Sequence, residues 1–183
     1  MRDGSSRISR RMAAAERHIA LVGFMGSGKS SLGPPIAQAL GRPFFDTDTE
    51  VERRGRTIVD FFAAGEEPAF RALEAEIVRE LVAGPPAVLS LGGGALQNDG
   101  TRALLAERSL MVHLVVPWEV VRAALPVLVA TRPLLQGRSE LEIHQLFMRR
   151  ERSYAAAHLR VEVPRTDVAA AATHVLAELR RHG

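Results

Sequence analysis

Five short apolar runs punctuate the chain, at residues 18–22, 43–45, 87–91, 110–116 and 159–163. Each is too short and too continuously apolar for a surface helix, so each reads as a strand buried on both faces. Between them the apolar positions recur at helical spacing. Helices are predicted from Gly28 to Leu40 with Gly41 as the stop, around Val51, from Ile58 to Ala64, from Glu66 to Val82, and from Asp167 to Arg181. Strands alternating with helices predict an α/β fold in three layers, a five-stranded parallel sheet with helices on both faces. Residues 125–137 (LPVLVATRPLLQG) fit neither template. Prolines near both ends argue against one continuous helix, and the segment is read as a mobile lid.

At 183 residues the chain is long enough for one well-buried domain and too short for two ordinary ones. One domain is assigned to residues 18–183. Residues 1–17 form a basic arm with five arginines and no apolar core of a secretory signal. No stretch approaches the roughly 18 apolar residues that a membrane span needs. There is no cysteine, which excludes disulfides, thiolate catalysis and Cys-ligated zinc and fits a reducing cytoplasm. The net charge is +3, and aromatic residues are 5% of the chain and are not interleaved with basic clusters, so nucleic-acid binding is not expected.

One residue stands out in the charge inventory. Of 24 Lys+Arg, 23 are arginine; the single lysine, Lys29, sits in Gly23-Phe24-Met25-Gly26-Ser27-Gly28-Lys29-Ser30. This is a complete G-x-x-x-x-G-K-[ST] phosphate-binding loop, between a predicted strand and a predicted helix. Its glycines let backbone N–H groups turn toward one anion at a helix N-terminus, and Lys29 adds a flexible point charge. Gly26, Ser27, Gly28, Lys29, Ser30 and Ser31 are assigned to nucleotide binding. Ser30 offers its hydroxyl to Mg²⁺. Asp46 and Asp48 leave the end of the second strand, where one acid can reach Mg²⁺ and the other can hold or deprotonate an acceptor hydroxyl. Gly92, Gly93 and Gly94 follow the third strand as a loop suited to close approach by a ligand.

These pieces, with Phe70-Arg71 and Glu74, Leu89-Ser90-Leu91 before the three glycines, Arg132-Pro133-Leu134-Leu135, and Arg150 four residues before Tyr154, resemble the shikimate kinase family from about residue 18 to 180. The resemblance implies a P-loop kinase fold with a substrate-binding region at 48–82 and a lid at 125–139. It implies transfer of the γ-phosphoryl of MgATP to the 3-hydroxyl of shikimate. Asp48 would bind the ring hydroxyls and act as base, and Asp46 and Ser30 would hold magnesium, Asp46 through water. Arg71 and Arg150 would grip the substrate carboxylate with bidentate guanidinium forks. Gly92, Gly93 and Gly94 would lie along substrate and γ-phosphate, and Arg132 would arrive with the lid. Lys29, Asp48 and Arg132 are the catalytic set, and Arg132 and Arg165 are assigned to nucleotide binding together with the phosphate-loop residues. ATP and shikimate are the only partners expected, for a cytoplasmic monomer binding neither nucleic acid nor membrane.

The residues leave rival readings beside these. Arg71 can pair with Glu67 or Glu74 on its own helix, and Arg150 stands in a run (Arg149-Arg150-Glu151-Arg152) that composition alone makes a solvated face. Phe62 and Phe70 suit a pocket wall or a core equally. His113 and Trp118 read as packing residues. The chain departs from the family at Leu125, where an arginine usually stacks on adenine; Arg122 or Arg165 is available nearby instead. Pro34 and Pro35 fall in the phosphate-loop helix and predict a distorted second turn. A ligand-sensing module without turnover, and a kinase for aminoshikimate or gluconate, remain alternatives.

Overall fold

The computed structural model describes residues 17–182, so the basic arm expected at 1–17 lies outside the described residues apart from Arg17. Five strands, β1 (His18–Val22), β2 (Phe44–Asp46), β3 (Val88–Ser90), β4 (Ser109–Val115) and β5 (Leu159–Glu162), form one sheet in the order β2-β3-β1-β4-β5. All four pairings are parallel, with Ala20 beside Leu89 on one side and Met111 on the other. The predicted three-layer α/β architecture is therefore the observed one.

Alternation along β1 builds two cores. Ile19 and Leu21 face α1 (Lys29–Leu40) and the C-terminal helix Val168–His182, whereas Ala20 and Val22 face the opposite layer. That layer contains, in chain order, α2 (Thr47–Arg53), α3 (Ile58–Ala63), α4 (Glu67–Ala83), α5 (Asp99–Arg108), α6 (Trp118–Ala123), α7 (Leu125–Thr131) and α8 (Glu140–Tyr154); the C-terminal helix is α9. Short 3-10 turns lie at Ala95–Gln97 and Pro133–Leu135. Val51, Phe61, Phe70 and Ile77 make a smaller third core where α2, α3 and α4 meet. Among the described residues no helix is long and apolar enough to cross a membrane.

Two expectations need correction. Residues 125–131 are helical: Pro126 falls in the first turn of α7, where its missing N–H has no intrahelical partner to lose, and Pro133 opens the following 3-10 turn. The prolines thus bracket a helix of seven residues. Nor is the second turn of α1 broken, because the helix runs without interruption through Pro34 and Pro35. Proline at these positions removes the donors that would meet the carbonyls of Ser30 and Ser31. Both serines are exposed, so water can take those carbonyls.

The residue before the prolines explains why this segment is unusual. Gly33 is buried, and a Cβ there would lie 2.1 Å from Cε2 of Phe44 in β2. The missing side chain lets α1 settle onto the edge of the sheet and fixes the phosphate loop relative to the strand that carries Asp46. Gly33→Ala is expected to destabilise the fold by about 1–2 kcal/mol, because overpacking outweighs the gain in helix propensity. In a Phe44→Ala background the same change should stabilise by up to about 1 kcal/mol. Thermal unfolding of the four proteins checks this reversal of sign.

Candidate active site

The loop from Gly23 to Lys29 turns on glycines in the left-handed region, Gly26 at φ 83° and Gly28 at φ 90°. Gly28 caps α1 and offers no side chain to the helix N-terminus, whose dipole and first N–H groups suit a bound anion. Lys29 curls back over the loop. Its ammonium donates to the carbonyls of Gly23 (2.8 Å) and Phe24 (3.1 Å) and to Ser27 Oγ (3.4 Å). Burial lowers its pKa to about 8; the carboxylate of Asp48 opposes the shift, while Arg132 and Arg150 add to it.

Asp46 does two jobs at the end of β2. Its Oδ1 caps α2 by accepting the N–H of Asp48 at 3.0 Å, and its Oδ2 accepts the hydroxyl of Ser30 at 2.6 Å. A carboxylate and a hydroxyl so placed are hard oxygen donors suited to Mg²⁺, which ordinarily completes its shell with water and substrate phosphates. Among the described residues no group of three or more His, Cys, Asp or Glu can hold a metal by itself, so the phosphates would have to supply the rest. Asp48 points into the cleft, where burial and the neighbouring Asp46 raise its pKa against Arg132, Lys29 and Arg71. Arg132 Nη1 approaches Asp48 Oδ2 at 3.5 Å.

Arg71 pairs on its own helix, bonding Glu67 Oε1 (3.1 Å) and Glu74 Oε2 (2.9 Å) on α4, and also faces the cleft. Glu74 is 3% exposed; its pKa is raised by burial against the pull of Arg71, and its Oε1 has no hydrogen-bond partner. Arg150 is also 3% exposed, whereas its neighbours Arg149 and Arg152 face solvent. Among the described residues no carboxylate comes within 4.0 Å of it, and its Nε is unpartnered. The side chain lies over the ring of Phe24 and against Gly93.

The three glycines at 92–94 make this crowding possible. A Cβ on Gly92 would stand 2.1 Å from Glu74 Oε1, on Gly93 2.6 Å from Arg150 Nη1, and on Gly94 2.7 Å from Arg71 Nη1. Three charged side chains thus lie directly on backbone. The result is a cavity of about 330 Å³ walled by Ile58, Phe62 and Phe70 and carrying Asp48, Arg71 and Arg150. Phe62 and Phe70 serve as wall and core at once. A second cavity of about 190 Å³ follows the phosphate loop past Gly26, Gly28, Lys29, Ser30 and Ser31. The two share Met25, Ser30, Asp48, Gly93 and Arg132.

Of the site residues proposed from sequence, two line neither cavity: Ser27, and Arg165, which is exposed in the segment between β5 and α9. Ser27 is buried inside the loop. Arg122 is exposed on α6, and Leu125 packs half-buried against the central core. His113 is buried against Tyr154, and burial lowers its pKa to about 4; Trp118 packs on His144 and Phe147. Sequence reasoning missed Thr47, whose buried Oγ1 accepts the N–H of Gly92 at 2.8 Å. A threonine between two acids carries no signal of its own.

A phosphate loop that opens into a second cavity beside one carboxylate defines the class: a nucleotide-dependent small-molecule kinase with the P-loop fold. Comparison with known proteins narrows it. The family model described as shikimate kinase matches residues 25–180. The shikimate kinase of Geobacillus kaustophilus is 39% identical over 169 residues, 90% of this chain and 89% of that protein. That of Caulobacter vibrioides is 40% identical over 165 residues, covering 89% and 82%. The solved shikimate kinase of Acinetobacter baumannii in complex with shikimate is 32% identical, with a TM-score of 0.84 over 93% of this chain and 97% of that one. The chain belongs to the shikimate kinase family.

Because Lys29 is the sole lysine, carbon-13 labelling at lysine Cε gives a single side-chain signal. It should titrate near pH 8 in the free protein rather than at the ordinary 10.5, and move upward when a triphosphate binds. The sign follows from burial: the free site disfavours the ammonium and the anion restores it. A free-protein midpoint at the ordinary value would show that the ammonium is not desolvated.

Proposed function

We propose that the protein transfers the γ-phosphoryl group of MgATP to the 3-hydroxyl of shikimate, releasing ADP and shikimate 3-phosphate, as a cytoplasmic monomer. The observation that carries the acceptor is Arg150, a buried guanidinium without a carboxylate partner, in the same cavity as Arg71 and at the opposite side of the glycine loop from Asp48. An acceptor bearing a carboxylate supplies the missing counter-charge; an acceptor bearing hydroxyls meets Asp48. Shikimate carries both. Residues 48–82 form the acceptor region and 125–139 the lid.

In this reading the acceptor carboxylate lies between Arg71 and Arg150, which orients the ring so that one hydroxyl reaches Asp48. Asp48 accepts the hydroxyl proton as the oxygen bonds to the γ-phosphorus, and its raised pKa favours that role. The bond from the γ-phosphorus to the bridging oxygen breaks, and ADP departs with the electron pair. Lys29 leaves the loop carbonyls for the phosphate oxygens, and Arg132 shifts from Asp48 toward the transferring group. Ser30 and Asp46 would hold magnesium, whose charge would offset the negative charge of the phosphates. Cleft closure over these groups strengthens each of them by excluding water.

A coupled ADP-release assay with MgATP across shikimate, aminoshikimate, quinate and gluconate tests the assignment. Turnover should be greatest with shikimate. Binding of shikimate without turnover of any acceptor would replace the enzyme by a ligand sensor. Asp48→Asn should lower kcat by about a hundredfold or more while nucleotide affinity stays near the parent value. Parallel loss of both would place Asp48 at the nucleotide instead of the acceptor.

A further inference from the structure

The backbone of residues 92–94 is held at two points by side chains from distant segments. On one side the N–H of Gly92 donates to Thr47 Oγ1 at 2.8 Å; on the other the hydroxyl of Tyr154 donates to the carbonyl of Gly93 at 2.7 Å. Thr47 is 0% exposed and Tyr154 2%. Burial pushes the Tyr154 phenol upward, so it remains a proton donor throughout the working range. The ring of His113 backs the phenol at a centroid distance of 4.9 Å.

What these hydroxyls sit beside gives them their significance. Thr47 immediately precedes Asp48, and Tyr154 stands one helical turn beyond Arg150 on α8. Asp48 and Arg150 are the two groups that must fix opposite ends of an acceptor, and they stand 102 residues apart in the chain. The glycine loop is where they meet: Asp48 Oδ1 lies 3.0 Å from a Cβ position on Gly92, and Arg150 Nη1 lies 2.6 Å from one on Gly93. With no side chains of its own, the loop has nothing but its peptide groups by which to be registered.

We propose that Thr47 and Tyr154 are positioning residues, two buried hydroxyls that clamp the glycine loop and thereby set the separation of Asp48 and Arg150 across the acceptor. The proposal rests on the acceptor reading above. Valine has nearly the shape of threonine but accepts no hydrogen bond, and phenylalanine likewise keeps the ring of tyrosine without its donor. Either change leaves a peptide group of the loop unpaired and free to tilt; Tyr154→Phe also removes the hydroxyl that meets the Arg150 side chain, so Thr47→Val is the change that isolates the clamp.

Four variants test it in the full chain: Thr47→Val, Thr47→Ser, Thr47→Ala and Tyr154→Phe. Thr47→Val should lower kcat with shikimate by about tenfold or more, since small misplacements at a reacting centre are costly. Thr47→Ser, which keeps the hydroxyl, should recover to within about threefold. Tyr154→Phe should raise the KM for shikimate by about fivefold with less effect on kcat. MgADP affinity should be unchanged in all of them. If Thr47→Val does not fold, Thr47→Ala against Thr47→Ser gives the same contrast. Calorimetric shikimate affinity reads the clamp independently of turnover.

Parent-like kcat and KM in both Thr47→Val and Tyr154→Phe would overturn the proposal. So would a serine variant no better than valine, or a fall in nucleotide affinity equal to the fall in kcat/KM. A parent protein that binds and phosphorylates no acceptor overturns the functional reading itself; an active parent with insensitive variants overturns only the clamp.

Discussion

A buried guanidinium that no carboxylate approaches within 4.0 Å among the described residues is the constraint on which this site is built. Removing a charge from water is expensive unless a partner replaces the lost hydration, and Arg150 is met by the Phe24 ring, the Gly93 backbone and the Tyr154 hydroxyl, with Glu74 and Glu67 acting on it only from beyond 4.0 Å. The fold tolerates this because the phosphate-loop residue Phe24, the α8 residue Tyr154 and Gly93 enclose the side chain on rigid elements. Arg71 is treated differently, held by Glu67 and Glu74 before any ligand arrives. One arginine is thus pre-paired for orientation, and the other is left in want of charge.

The same economy governs the second cavity. Lys29 is occupied by loop carbonyls and Asp48 by Arg132, so the charged groups of the phosphate-loop cavity are already engaged within the protein. Both cavities open at the carboxyl ends of parallel strands because β1 feeds the phosphate loop, β2 feeds the acids and β3 feeds the glycines. The sheet order β2-β3-β1 brings these three turns side by side. A two-sided core beneath them, organised by alternation along β1, supplies the rigidity that the turns themselves lack.

Most of this was legible in the sequence because the strands are continuous apolar runs and the functional turns are short motifs at their ends. The five strands and the helices predicted at 28–40, 66–82 and 167–181 fall within one residue of their predicted limits, whereas α5 and the 15-residue α8 were not predicted. Arg150 was separable from Arg149 and Arg152 only by register with Tyr154, and burial follows that register. Local composition misled at 125–131, where Pro126 sits in a first helical turn instead of breaking one. It misled again at Pro34-Pro35, whose neighbour Gly33 answers to Phe44, a contact between helix and strand that no local window reveals. Thr47 was out of reach for the same reason: its partner, Gly92, lies 45 residues further along the chain.

The restriction of lysine to one position gives the loop a property unrelated to phosphate chemistry. A protease that cuts only after lysine finds a single scissile bond in the whole chain, between Lys29 and Ser30, at the start of α1. Cleavage there requires the loop and the first helical turn to unfold into an extended strand. Resistance to such a protease therefore measures the opening of this one segment, undiluted by any other part of the molecule.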